Sequence, residues 1–122
     1  MIRILIADDH AMVRAGLGQL LNSVDDFSVI GQACDGVEAV DMSEALRPDI
    51  ILMDLAMPNM DGLTATRLLR QRNPSIKVIV LSALENESLL RECLLTDVEV
   101  ILSKDASINE ILETVHTVSK TG

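Results

Sequence analysis

Residues 50–62 decide the fold of this chain, and their sequence is IILMDLAMPNMDG. The four apolar residues at 50–53 predict a short strand that is buried on both faces of a sheet. Asp54 is the first charged residue after this run, and Pro58 and Asp61-Gly62 predict a loop beyond it. Ligands of open parallel α/β sheets bind at the carboxyl ends of the strands. Asp54 is therefore either a functional carboxylate at such an edge or an acid that forms a turn.

The overall composition predicts one domain with an aliphatic core. The chain has 122 residues, of which 48% are hydrophobic and 1% are aromatic. Its formal net charge of −9 disfavours direct binding of DNA or RNA, whose phosphates require a basic surface. Cys34 and Cys93 are too few and too widely spaced for a disulfide framework or a zinc motif, so we expect two reduced thiols in the core.

The sequence also predicts no association with a membrane. No apolar run reaches the roughly 18 residues of a membrane-spanning helix. Asp8-Asp9 interrupts the first apolar run too early for a signal peptide. We therefore expect a soluble protein of the cytoplasm.

Short apolar runs alternate with amphipathic helical patterns five times along the chain. Strands are predicted at 3–7, 27–30, 50–53, 76–81 and 98–102. Helices are predicted at 12–21, 37–46, 63–72, 87–95 and 108–118. Such alternation is typical of parallel strands joined by right-handed helical crossovers, with helices on both faces of the sheet. We predict a three-layer, doubly wound α/β domain over residues 1–122.

Polar side chains follow four of the five predicted strands. Strand one ends at Asp8-Asp9, strand three at Asp54, strand four at Ser82 and strand five at Lys104. The carboxyl ends of parallel strands share one edge of the sheet, so these groups should converge there. Singly, each has another interpretation, such as a helix cap for Asp8 or Asp9 or a surface ion pair for Lys104. Their joint placement favours a functional site.

The converging groups are suited to phosphoryl chemistry. Three carboxylates at one edge would repel one another unless a cation lay between them. Oxygen ligands suit Mg²⁺, which is commonly held by one or two carboxylates together with phosphate and water. Lys104 is a compact charge suited to a phosphoryl oxygen, and Ser82 adds a hydroxyl donor. In such a site Asp54 can attack a phosphoryl group in line and form an acyl phosphate.

Other phosphate-binding sites fit the sequence less well. A dinucleotide fold requires G-x-G-x-x-G after the first strand, where this chain has acids. Those acids would also repel the phosphate of a flavin unless a metal ion intervened. One class of phosphotransferase carries a second acid two residues after its nucleophile, and Ala56 occupies that position here.

With these segments in place, the chain resembles the receiver domains of two-component response regulators over essentially its whole length. The matching segments are ADDH at 7–10, MDLAMPNMDG at 53–62, LSA at 81–83 and SKD at 103–105. The segment DDH, followed by VRAGL at 13–17, resembles the subfamily with a LuxR-type helix-turn-helix output domain.

The resemblance implies the fold and the function. The implied fold is a five-stranded parallel sheet with the flavodoxin-like order 2-1-3-4-5. The implied function is a phospho-activated switch, not an enzyme in its own right, with Mg²⁺-dependent self-phosphorylation and self-dephosphorylation. The implied partner is a sensor histidine kinase, and a homodimer through the fourth helix, fifth strand and fifth helix is compatible with the family. The implied output is transcription, through a DNA-binding domain that lies outside residues 1–122.

The resemblance also assigns roles to individual residues. Asp54 is the implied phosphoacceptor, Lys104 the phosphate partner and Ser82 the switch hydroxyl. Mg²⁺ would be bound by Asp9, by Asp54 and by the backbone carbonyl of Ala56, with Asp8 contributing through water.

The departures from the family pattern lie around the fifth strand. Ile101 stands where the family usually has Tyr or Phe, and Asp97-Val98, Val100 and Ser103 replace the usual residues nearby. We expect Ile101 to keep one rotamer, because it is β-branched, and a signal to pass through residues 83–84 and the leucines of the fourth helix. These departures support an alternative function, a receiver-like interaction module that acts without phosphorylation.

Overall fold

A computed structural model of the chain describes residues 1–83, 87–96 and 98–120, without the side chains of Glu87 and Leu89. Five strands and five helices alternate along it. Their bounds are β1 Ile2–Ala7, α1 Ala11–Asn22, β2 Phe27–Ala33, α2 Gly36–Leu46, β3 Ile50–Asp54, α3 Gly62–Arg72, β4 Lys77–Ser82, α4 Glu87–Leu94, β5 Val100–Ser103 and α5 Ile108–Lys120.

The strands form one parallel sheet in the order β2-β1-β3-β4-β5, which confirms the predicted fold. The register places Leu52 between Ile6 and Ile79. All five residues of β3 are buried, because β3 lies at the centre of the sheet with helices over both faces. Asp54 is the last residue of this central strand.

Alternate strand residues supply two separate cores, one on each face. On β1, Leu5 and Ala7 face the core formed with α2, α3 and α4. Ile4 and Ile6 face the second core, which is formed with α1 and α5. Both cores are almost wholly aliphatic, as the composition predicts.

The end strand β5 begins at Val100, two residues later than predicted. The preceding residue, Glu99, donates its backbone N–H to Val78 O at 3.0 Å, while its side-chain Oε2 accepts the Val78 N–H at 2.6 Å. Arg70 of α3 then binds both carboxylate oxygens of Glu99, at 3.0 and 2.7 Å. Asp97, also named among the sequence departures, lies outside the described residues.

Two further predictions are corrected or bounded by the structure. Cys93 is buried, as predicted, but Cys34 is exposed after the end of β2, so only one of the two free thiols belongs to the core. No helix within the described part of the chain combines the length and apolar character needed to cross a membrane.

Candidate functional site

The carboxyl ends of β1, β3 and β5 bring two acids and a lysine into contact. Lys104 Nζ lies 3.1 Å from Asp8 Oδ2 and 3.1 Å from Asp54 Oδ2. Asp8 and Asp54 are almost fully buried, with 2% and 4% of their surfaces exposed. Residues that are far apart in sequence therefore meet at one edge of the sheet, as the strand endings predict.

The buried carboxyl group of Asp54 has a raised pKa and one oxygen without a hydrogen-bond partner. Burial raises the pKa of its carboxyl group, Lys104 opposes this, and Asp8 adds to it. Among the buried side-chain oxygens and nitrogens that the structure describes, Asp54 Oδ2 has no hydrogen-bond partner. The contact with Lys104 Nζ thus supplies opposite charge without a well-directed hydrogen bond. This oxygen remains available to a further ligand.

Lys104 is held in its charged form by the two acids. Burial alone would lower the pKa of its ammonium group, but the carboxylates of Asp8 and Asp54 together raise that pKa above its ordinary value. The backbone N–H of Lys104 donates to Ser82 O at 2.9 Å, which ties the residue to the end of β4. A cationic group therefore stands beside the Asp54 carboxylate.

The acids after β1 face the sheet edge instead of capping α1, so that alternative interpretation is wrong. The N-cap of α1 is His10, and its side chain makes no capping bond. Asp8 Oδ1 instead accepts the His10 N–H at 2.8 Å and lies 3.1 Å from His10 Nδ1. Arg14 Nη1 donates to Asp8 O at 2.7 Å and fixes the backbone of this turn. Asp9 Oδ1 also lies 3.1 Å from His10 Nδ1.

These groups form a cluster that can hold a metal ion. One ligand atom from each of Asp8, Asp9, His10 and Asp54 lies within 4.8 Å of the others. The donors are mainly carboxylate oxygens, and Asp54 also has the unpartnered Oδ2. The Asp9 side chain is 31% exposed, so the cluster opens to solvent on one side. Such a donor set fits a hard divalent cation that keeps part of its water.

Ser82 and Ala56 lie at the same edge. The register pairs Asp54 with Leu81, so Ser82 comes one residue further along the neighbouring strand, where it is 9% exposed. Ala56 is exposed in the loop after β3, and its backbone N–H lies close enough to the Asp54 carboxylate to lower the pKa of that group. Every residue predicted for the site is therefore near the ends of β1, β3, β4 and β5.

The turn into α3 keeps this loop close to Asp54. Gly62 N–H donates to Leu55 O at 2.9 Å. A Cβ atom at position 62 would collide with the carbonyl oxygen of Asp54, so glycine is required by this close approach. Asp61 caps α3 by accepting Thr64 N–H at 2.7 Å. Asp61 and Gly62, which predict a loop from the sequence, thus fix the backbone that follows Asp54.

Sequence reasoning missed two residues that support this loop. Asp35-Gly36 predicts a turn, but Asp35 is a buried N-cap of α2 whose Oδ1 accepts Glu38 N–H at 2.8 Å. Its Oδ2 accepts a hydrogen bond from Asn59 Nδ2 at 2.8 Å. The spacing of Asp35 and Glu38 is a helix-start signal that predicts the cap. No local pattern indicates the partner 24 residues away.

Comparisons with known proteins agree with this architecture. The family model described as "Response regulator receiver domain" matches residues 4–116. The transcriptional regulatory protein DegU of Brevibacillus brevis is 39% identical over 121 residues, which are 99% of this chain and 51% of that protein. The chain spans about half the length of the curated relatives it matches.

Two solved structures have the same fold over nearly the whole chain. A DNA-binding response regulator of the LuxR family from Staphylococcus aureus is 28% identical with a TM-score of 0.93, and the match covers 98% of this chain and 100% of that one. A CheX–CheY–BeF3–Mg²⁺ complex from Borrelia burgdorferi contains a chain that is 30% identical with a TM-score of 0.89. That match covers 98% of this chain and 90% of the other.

Proposed function

This chain belongs to the receiver domain family of two-component response regulators, with LuxR-type regulators among its relatives, and we propose that Asp54 is its phosphoacceptor. The observation that supports this most directly is the buried Asp54 carboxylate, which has an unpartnered Oδ2 and lies 3.1 Å from Lys104 Nζ. The phosphoryl donor in this proposal is a phosphohistidine of a sensor kinase.

Asp54 acts as the nucleophile in the proposed transfer. A carboxylate oxygen forms a bond to phosphorus, while the bond between phosphorus and the kinase's histidine nitrogen breaks and its electron pair stays on that nitrogen. Lys104 favours the ionised carboxylate before transfer and pairs with a phosphoryl oxygen after it. Ser82 follows Leu81, the residue of β4 that pairs with Asp54, and its hydroxyl donates to another phosphoryl oxygen.

The metal in this proposal is Mg²⁺, held by Asp9, Asp54 and the backbone carbonyl of Ala56, with Asp8 contributing through water. When bound, it neutralises charge on the phosphoryl oxygens. The same cluster supports self-phosphorylation from small acyl phosphates and self-dephosphorylation by water. The carboxylate-rich donor set and the unpartnered Asp54 Oδ2 support this choice of a hard cation.

The proposed role in the cell is control of transcription from the cytoplasm. The curated relatives are about twice the length of this chain, and a solved relative is named a DNA-binding regulator of the LuxR family. The net charge of −9 disfavours direct contact between this chain and DNA, because phosphates require a basic surface. DNA binding would therefore belong to an output domain outside residues 1–122. Three exposed residues offer an apolar surface for self-association: Leu94 at the end of α4, Leu95 just after it and Ile108 at the start of α5.

A second function, binding to partners without phosphorylation, is supported by the start of β5. Arg70 and Glu99 tether this strand to α3 and β4, and Ile101 replaces an aromatic residue that would have two distinct positions. A strand that is fixed in this way presents the same surface whether or not Asp54 is modified.

Incubation with acetyl phosphate and Mg²⁺, followed by intact-mass measurement, tests the phosphoacceptor. We expect wild type to gain one phosphoryl group and Asp54→Ala to gain none. Asp41→Ala, at an exposed acid on α2, is the matched control and should react as wild type does. A wild-type protein that stays unmodified with Mg²⁺, or an Asp54→Ala protein that is still modified, would contradict the assignment.

A further inference from the structure

The loop at 55–61 carries Ala56 and is hydrogen-bonded to the start of α2, the helix that precedes β3. Asn59 Nδ2 donates to Asp35 Oδ2 at 2.8 Å. Next to this bond, Gly36 N–H donates to Met60 O at 2.9 Å. The loop after β3 is thus joined by two hydrogen bonds to the first residues of α2.

The closeness of this contact leaves little room for adjustment. A Cβ atom at position 36 would collide with the carbonyl oxygen of Met60. Asp35 is 8% exposed, and its two oxygens have separate partners, one in α2 and one in the loop. The Asp35 carboxylate therefore couples the position of the helix to the position of the loop.

The backbone of Asn59 is left-handed, with a φ of 66°. Asparagine tolerates this conformation, but glycine adopts it more readily. Backbone geometry alone would therefore be satisfied by glycine, and the side-chain amide is what asparagine adds. Arg47, after α2, is the other non-glycine residue of the described chain with a positive φ, at 49°. It lies at the opposite edge of the sheet and provides a matched comparison.

We propose that Asn59 is a positioning residue for the cation site, acting through the loop that carries Ala56. The inference rests on the proposed function, in which the Ala56 carbonyl is a metal ligand. With the Asn59–Asp35 bond in place, Ala56 stays near Asp54, where its backbone N–H helps to lower the pKa of the carboxyl group. Without the bond, the loop populates other conformations, and the apparent affinity falls with the fraction that remains competent to bind.

Calorimetric titration of the 122-residue chain with Mg²⁺ tests the side chain separately from the backbone. Asn59→Gly keeps the left-handed conformation available and removes the amide, so we expect its Kd to rise about 10-fold, as is typical when a supporting partner of a metal ligand is lost. Arg47→Gly makes the same backbone change far from the loop and should leave the Kd unchanged. Equal Kd values for Asn59→Gly and wild type, or an equal loss in Arg47→Gly, would overturn the proposal.

A charge-conserving exchange provides the rescue. Asn59→Asp places two carboxylates in contact and should weaken Mg²⁺ binding at least as much as Asn59→Gly. In Asp35→Asn combined with Asn59→Asp, the new asparagine can cap α2 through its oxygen and donate its amide to the new aspartate. We expect the double variant to bind Mg²⁺ within about threefold of wild type, a coupling that independent sites would not show. A double variant as weak as Asn59→Asp alone would refute the pairing.

The outcomes separate this inference from the function on which it rests. If wild type itself binds no Mg²⁺, the proposed metal site and the positioning role both fall. If wild type binds Mg²⁺ and is phosphorylated while the Asn59 variants bind it equally well, the proposed function stands and only the positioning role is wrong.

Discussion

Replacement of Glu99 by alanine is expected to destabilise the fold far more than a surface ion pair would suggest. The Glu99 carboxylate accepts Val78 N–H at 2.6 Å and binds Arg70 through both oxygens. Val78 is fully buried in β4, so water cannot replace the lost acceptor. Arg70 keeps its bond to Ile76 O at 2.5 Å and is not left without a partner.

The magnitude follows from these contacts. An orphaned buried N–H costs about 1–3 kcal/mol. Loss of the two-oxygen pair with Arg70, whose side chain is 14% exposed against 26% for Glu99, adds about 1 kcal/mol after allowance for solvent screening. The sum is about 2–4 kcal/mol, which corresponds to a melting temperature about 10 °C lower for a domain of this size. Glu99→Gln keeps an oxygen for Val78 N–H and should lose only about 1 kcal/mol.

Thermal and urea unfolding of the variants measure this difference. The control is Glu44→Ala, which breaks the 2.6 Å ion pair between Glu44 and Arg72. Both side chains are about half exposed, and this pair involves no buried amide. It should change stability by no more than about 0.5 kcal/mol. If Glu99→Ala loses no more stability than Glu44→Ala, the buried amide does not depend on Glu99 and the reasoning is wrong. If Glu99→Gln is as unstable as Glu99→Ala, the charge matters and the acceptor does not.

Three other predictions concern the site and its readout. Asp54→Asn should fold, accept no phosphate, and melt higher than wild type without metal, because the pKa of Asp54 is raised in the folded state. The folded wild type then binds the Asp54 proton more tightly than the unfolded chain does. The stability that comes from this proton is lost as the pH rises above about 4 and through the raised pKa. The difference in melting temperature between Asp54→Asn and wild type should therefore grow over that pH range. Asp9→Ala should weaken Mg²⁺ binding in calorimetry more than Asp8→Ala, because Asp9 is the proposed direct ligand. Ile101→Tyr should make self-association, followed by sedimentation, depend more steeply on a phosphoryl mimic than it does in wild type.

Each of these has an outcome that would count against it. The first prediction rests on the burial of the Asp54 carboxylate and its repulsion by Asp8. A melting temperature of metal-free Asp54→Asn below that of wild type would contradict it. Identical Mg²⁺ titrations for wild type and Asp9→Ala would reject the ligand assignment. Wild type that dimerises on activation as sharply as Ile101→Tyr would show that the aromatic residue is dispensable in this chain.

The sheet and the cluster at its edge could be predicted from the sequence because both depend on local patterns. An apolar run predicts a strand, and the first polar residue after it marks the carboxyl end, so Asp54 and Lys104 could be placed at one edge before any contact was known. The strand order places these two residues on either side of β4, and the 3.1 Å contact between Lys104 Nζ and Asp54 Oδ2 depends on the conformations of their side chains. Asp8 and Asp9 are harder to interpret, since the same residues also suit a helix cap. The long-range contact of Asp8 with Lys104 and the local contacts of both acids with His10 decide between the two.

Long-range side-chain contacts account for what the sequence did not indicate. Asn59 and Asp35 are bonded across 24 residues, and Glu99 meets Arg70 across 29. Neither pair has a fixed spacing that a pattern could carry. The late start of β5 has the same origin, because a side chain from Glu99 occupies the Val78 N–H that a strand residue would otherwise bond.

The route by which phosphorylation would change the surface is constrained by this same strand. A switch requires an element with two arrangements that the ligand can select between. The start of β5 is held by Glu99, and Ile101 packs half-buried against the core with a stiff side chain. Of the fourth-helix route predicted from sequence, Leu84 and the side chain of Leu89 lie outside the described residues. Leu94 and Leu95 are 72% and 85% exposed, so they can repack at little cost, and α4 is the element on which we expect a change to be expressed.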